Sequence, residues 1–301
     1  MDNGLRIIIP LTIYLETPLW NELCDQEVEP GHLLRELGRR GAALIVSTQV
    51  ISELADTFTS ARLADAADRG TKLFGYFLRF TRASIPCLKM NSQILQEEAL
   101  VACGILRGLD LLLGTDDYSK MIVEVEKLSR GVFDARTRQF LNDRKALMQR
   151  TRQEAVEFVL ERPRLVDMCS GAAFDEFVTV SHPADRIKLL RSHLAQEFPN
   201  SAPHEITDAA VKLLCNPYNR VTHTMILADL YVTWRAARAS ALARDVQDDC
   251  YHLVNASYCD VYATKDEPQT RYAFKIIAPT QVRFYDGFSP LSDWLLALAT
   301  E

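Results

Sequence analysis

"GHLLRELGRRGAALIVSTQVISELADTFTSA", residues 31–61, decides the fold class. Leu33, Leu34 and Leu37 fall at helical spacing, and Gly41 is placed to stop the helix. "AALIVS" (42–47) is a continuous apolar run of the kind that fits a strand buried on both faces. "TQVISELADTFTSA" (48–61) then restarts a helical period, with Ser47 or Thr48 as its cap. The apolar "RIIIPLTIYL" (6–15) ahead of this stretch reads as a first buried strand. Strand, helix, strand, helix is the order of a parallel α/β sheet.

The same order returns at the other end. "DDCYHLVNASYC" (248–259) reads as a helix and "VYAT" (261–264) as a strand. "KDEPQTRYAFKIIAPT" (265–280) reads as a loop, "QVRFY" (281–285) as a strand and "PLSDWLLALA" (290–299) as a closing amphipathic helix. From about Gly104 to Val221 strand signals are nearly absent, and residues 116–163 read as long helices with few breakers. The expected organisation is a discontinuous α/β domain, 1–104 and 222–301, with a central parallel sheet interrupted by an all-helical insertion, 105–221.

With 301 residues, 48% of them hydrophobic, the chain is long enough to bury a sizeable core. Its net charge of −6 argues against a uniformly basic nucleic-acid binder and leaves room for a local basic patch. The seven cysteines show no CxxC spacing, so neither a disulfide framework nor a zinc knuckle is indicated. A reducing, cytoplasmic setting is expected. The N-terminal apolar run contains Pro10 and is too short to span a bilayer, so no membrane partner is expected.

In a parallel sheet, functional groups collect beyond the carboxyl ends of the strands. Glu16 directly follows "LTIYL", and Asp266 lies two residues beyond "VYAT". Asp249 is expected at the start of the helix feeding that last strand. Glu53 lies between one and two turns into the helix that leaves "AALIVS", within reach of the same rim. Four such acids would repel one another unless a divalent cation neutralised them, and oxygen ligands suit Mg²⁺ or Mn²⁺. Two such ions can clamp a phosphodiester and activate water for in-line displacement. Taken singly, each acid has a plainer reading: Asp249 as a helix cap, Glu53 on a solvated face, Glu16 opening a turn.

"IYLETPLWNEL" (13–23), "IVSTQVISELAD" (45–56) and "DDCYHLVNASYCDVYATKD" (248–266) resemble the three sequence blocks of PIN-domain ribonucleases. The first block, a strand ending in an acid-Thr pair, stands here as Glu16-Thr17-Pro18. The second, a Glu near a helix start after Ser, is matched loosely from Ser47 to Glu53 and directly by Ser52-Glu53. The third, an Asp on a helix bearing His followed by a strand, Thr, one residue and Asp, is matched by Asp249, His252, Thr264 and Asp266. The match covers roughly half the chain. It implies a PIN-like fold and a metal-dependent endoribonuclease in which Glu16, Glu53, Asp249 and Asp266 hold Mg²⁺ or Mn²⁺. Thr264 would orient a carboxylate or a phosphate. Glu97 and Glu98 are reserve acids. His252 is read as a histidine hydrogen-bonded near the sheet, since two-metal hydrolysis needs no histidine base. Trp20, Trp234 and Trp294 are read as core anchors.

From Lys127 to Arg152 eight cations face two acids, Asp134 and Asp143. Such a run is often a solvated helix face; read functionally, Arg136, Arg138, Arg144 and Arg150 would hold the phosphates of a single-stranded RNA. Nucleotide loops of GxGxxG or GxxxxGK[ST] type are absent, as is a GxSxG elbow. "HEITD" (204–208) lacks the second His of a zinc-protease helix and reads as a helix start. Two other classes compete: a non-catalytic PIN-like scaffold whose insertion binds a protein or RNA partner, and a structure-selective DNA nuclease.

Overall fold

The structure is a computed structural model that describes residues 10–59, 65–160, 167, 169, 171–239, 244–265 and 268–300. It begins with strand β1 (Leu11–Leu15), helices α1 (Thr17–Asp25) and α2 (Pro30–Arg39), then β2 (Ala42–Ser47) and α3 (Thr48–Asp56). A short 3₁₀ turn, α4 (Ala66–Arg82), β3 (Cys87–Leu88) and α5 (Asn91–Ala102) follow. Helices α6 (Thr115–Ser129), α7 (Ala135–Leu160), α8 (Phe174–Val180), α9 (Pro183–Glu197), α10 (Pro203–Cys215) and α11 (Arg220–Ala239) fill the middle. The chain closes with α12 (Arg244–Ala256), β4 (Val261–Thr264), α13 (Pro268–Ile277), β5 (Gln281–Phe284) and α14 (Leu291–Leu298).

All five strands pair in parallel, in the order β3-β2-β1-β4-β5. The chain builds outward from β1 in one direction through β2 and β3, then returns to the other side of β1 for β4 and β5. The β1/β4 boundary is therefore the topological switch point, the place where open α/β sheets carry their crevice. At the amino end of this boundary Asp260 Oδ2 accepts from the Thr12 amide at 2.8 Å and from its hydroxyl at 2.7 Å, fixing the register of β4 on β1.

Local chemistry explains the elements. Gly41 takes φ +74°, the left-handed conformation that ends α2, and its amide donates to Gly38 O at 3.1 Å. Ser47, the last residue of β2, caps α3 by accepting from the Val50 amide. Gly131, at φ +69°, breaks the long helical stretch into α6 and α7. "HEITD" starts α10, where the Glu205 carboxylate accepts from the Ala202 amide at 2.8 Å.

The segment 265–280, read as a loop, contains α13. Ala273 and Phe274 are buried with Ile277 one helical turn further on, and the parallel pairing of β4 with β5 requires a crossover of this length. The edge strand β3 carries no signal of its own because two residues have no period. Between β3 and β4, the described residues are helical apart from turns and one antiparallel bridge, Leu88 to Leu112.

One hydrophobic core runs from the sheet into these middle helices, joining Ile13, Leu44 and Val261 to Val125, Phe174 and Leu190. Trp20 is fully buried, edge-on to Phe77 and Phe80 with centroids 5.2 and 5.1 Å away. Trp234 and Trp294 are half-buried against Tyr231 and Tyr285 respectively. Each aromatic pair contributes about 0.5–1.5 kcal/mol beyond its buried area. No helix among the described residues is long and apolar enough to cross a membrane.

Candidate functional site

Glu16 is the first residue beyond β1. Its amide donates to Ala263 O on β4 at 3.1 Å, and its carbonyl accepts from the Leu19 amide at 3.0 Å as the cap of α1. Tethered on both sides, its side chain stands at the switch point, only 3% exposed. The Thr264 hydroxyl, at the end of β4, donates to Glu16 Oε2. Thr264 is itself fixed, because its carbonyl accepts from the Tyr285 amide at 2.9 Å. The next residue, Lys265, reaches away to Glu22 at 2.6 Å and holds that carboxyl below its ordinary range.

Glu53 comes to the same place from α3. Thr17, adjacent to Glu16, donates its hydroxyl hydrogen to Glu53 Oε2 at 2.5 Å. Gln49, one turn earlier on α3, donates its amide to Oε1. His252 Nε2 lies 2.7 Å from Oε2. Behind it, His252 Nδ1 lies 2.8 Å from the Tyr14 hydroxyl, which is 2.8 Å from Ser47 Oγ. Burial and the nearby Glu53 charge push the Tyr14 phenol well above its ordinary value, so it stays neutral. A neutral imidazole with its proton on Nε2 makes the donors run in one direction, Ser47 to Tyr14 to His252 to Glu53.

The chain thus forms one polar run at the carboxyl edge, Thr264–Glu16–Thr17–Glu53–His252–Tyr14–Ser47, drawn from β1, β2, α1, α3, α12 and β4. Asp249 shares the His252 face of α12 one turn earlier and is partly exposed. It is not at the helix start, because α12 is already helical at Arg244; Asp249 sits in the second turn and does not cap the helix. Asp266 lies outside the described residues. Thr17, Tyr14 and Gln49 join the site without having been expected there, and His252 is hydrogen-bonded beside the sheet as read, though fully buried. The signals in the sequence are the three-residue spacing of Asp249 and His252 and the four-residue spacing of Gln49 and Glu53.

The reserve acids stand elsewhere. Glu97 pairs with Lys89 at 2.6 Å and accepts from the Asp110 amide at 2.7 Å. Glu98 is fully buried and accepts from the Val221 and Thr222 amides, both at 2.9 Å, from the Thr222 hydroxyl at 2.6 Å and from the Tyr258 hydroxyl at 2.5 Å. It is a side-chain cap for α11, supplied from α5. Burial raises its carboxyl above the usual range despite these donors. Burial also pushes the Cys87 and Cys259 thiols up to about 12, which leaves them without thiolate character.

The basic helix α7 packs against both α3 and α12, the elements that carry Glu53 and Asp249. Arg136, Arg138 and Arg150 are exposed, and the Arg144 side chain lies outside the described residues. Arg138 Nε donates to Phe133 O at 3.0 Å with its guanidinium over the Phe133 ring.

No protein-family model, curated protein or solved structure matches this chain. What the site can do therefore rests on its own donors. Its carboxylates and hydroxyls are the hard oxygen donors that a small divalent cation prefers. Among the described residues no three His, Cys, Asp or Glu side chains gather as a metal-holding group; Asp266 is outside that set.

Proposed function

We propose that this chain is a metal-dependent endoribonuclease of PIN-like architecture. The observation that supports this reading best is the hydrogen bond from Thr264 to Glu16 across the β1/β4 switch point, with Glu53 bonded to the adjacent Thr17. The Glu16 carboxylate stands where an open parallel sheet carries its crevice, and the Glu53 carboxylate is bonded to the residue that follows it. Glu16, Glu53, Asp249 and Asp266 are the proposed ligand set for Mg²⁺ or Mn²⁺. The bound cation would supply an activated water and neutralise charge on the phosphodiester. Within the chain, Thr264 holds the Glu16 carboxylate, while Thr17, Gln49 and His252 hold that of Glu53. Arg136, Arg138, Arg144 and Arg150 would retain the RNA backbone beside an acidic crevice that repels it.

The hydrogen bonds that engage both oxygens of Glu53 favour a second reading, a non-catalytic scaffold in which this polar run only fastens α3 and α12 to the sheet. Incubating single-stranded RNA with the purified protein in Mg²⁺ or Mn²⁺ separates the two. The enzyme reading expects internal cleavage that disappears in Asp249→Asn and Asp266→Asn while both variants stay folded. Equal cleavage by wild type and both variants would remove these acids from the reaction, and no cleavage under any metal would leave the scaffold.

A further inference from the structure

A cavity of about 440 Å³ opens on the outer side of α3, bounded by α6 and the first turn of α7. Its wall is apolar: Ile51, Ala55, Met121, Val123 and Leu128 line it, and Val123 is 49% exposed. The volume falls in the range of binding pockets and is several times that of one leucine side chain.

The polar side chains around it are already engaged within the chain. Ser52 donates to Thr48 O at 2.9 Å, and Thr137 donates to Asp134 at 3.0 Å. Lys120 pairs with Asp117 at 2.9 Å and Glu124 with Lys127 at 2.7 Å. Arg136, at the rim, is different: among the described residues no hydrogen bond or ion pair engages its exposed guanidinium. A nucleobase placed here would have only the Arg136 fork to meet the donors and acceptors along its edge, at a cost of about 1–3 kcal/mol for each group left unpaired. An occupant with an apolar body and one anionic group would leave nothing unpaired.

We infer that this cavity is a docking site for an acidic amphipathic segment of a protein partner, two of whose apolar side chains enter it while an Asp or Glu carboxylate meets Arg136. A helix laid along the opening presents such side chains three or four residues apart, and the guanidinium fork matches a carboxylate in two parallel hydrogen bonds. The site lies on the helix that carries Glu53 and shares Arg136 with the proposed RNA-holding run, but it does not depend on the nuclease reading.

The test is selection of a display library of random dodecapeptides on the wild-type protein, with the variants Val123→Arg and Arg136→Glu as counter-targets. Both positions are exposed, and thermal melting confirms that the variants keep the fold. Enriched peptides are expected to carry a pair of large apolar residues and an Asp or Glu, and to lose about tenfold or more in affinity on either variant. Changing the peptide acid to Lys should restore binding to Arg136→Glu. The inference is overturned if no peptide is enriched, if enriched peptides lack the acid, or if they bind both variants as tightly as wild type. It is equally overturned if oligouridylate, and no peptide, is the ligand whose binding Val123→Arg weakens.

Discussion

His252 Nε2 stands 2.7 Å from Glu53 Oε2, and the two residues are 199 positions apart in the chain. The imidazole is 1% exposed and links α12 to α3. Replacing it with Phe keeps an aromatic ring but removes one partner from each side: the Tyr14 hydroxyl is left with Ser47 and Glu53 Oε2 with Thr17. His252→Phe is expected to cost about 1–3 kcal/mol, the loss of two buried hydrogen bonds, with Tyr14→Phe costing about 1 kcal/mol. Chemical denaturation of both, with the double variant, measures the coupling; additive losses would show that the two side chains do not act as one run.

Thr264→Val preserves the shape at the end of β4 and removes only the hydroxyl. The Glu16 carboxylate is then deprived of a donor in a site that is 3% exposed. A loss of about 1–3 kcal/mol is expected. Thr264→Ser should recover most of it, since the hydroxyl returns; a Ser variant no better than Val would mean that the methyl packing, not the bond, carries the effect.

Glu98 gives a stability effect that depends on pH. Its carboxyl is raised above the unfolded glutamate value, chiefly by burial. A group with a raised folded value contributes stability that is present below its unfolded value and is lost as pH rises through the folded one. Glu98→Gln abolishes this titration while disturbing the cap by a fixed amount at every pH. The stability difference between wild type and Glu98→Gln should therefore move against the wild type as pH rises above the unfolded glutamate value. A difference that is flat with pH would show that the carboxyl titrates alike in both states.

The basic helix is tested through salt. Changing Arg136, Arg138, Arg144 and Arg150 together to Gln should weaken single-stranded RNA binding and flatten the dependence of log affinity on log salt by about 0.7 for each phosphate no longer neutralised. Binding is measured without divalent metal, so that cleavage does not interfere. Equal slopes for the two proteins would mean that α7 does not hold the RNA.

Much of the frame is legible in the chain before it folds. "AALIVS" and "VYAT" become strands at the residues expected, and Ser47 and Gly41 mark the ends of their helices, because burial pattern and capping are local properties of a few residues. Residues 268–277 look like a loop because "KDEPQTRYAFKII" opens with charges and a proline, and its apolar positions gather only in the second half. What makes the segment a helix is the parallel pairing of β4 with β5, which no short window contains.

An α/β chain with parallel strands, the acids that stand beyond β1 and on α3 and α12, and a basic run in the helical middle are all readable from the order of residues alone. The return of β4 to the open side of β1 is a property of the folded sheet. That pairing brings Thr264 to Glu16 over 248 positions and carries α12 in to set His252 on Glu53. Hydrophobic periodicity fixes which face of an element is buried, but the partner that face meets depends on strand register and crossover, and hydrogen bonds of 2.5–2.8 Å form only after that register is set.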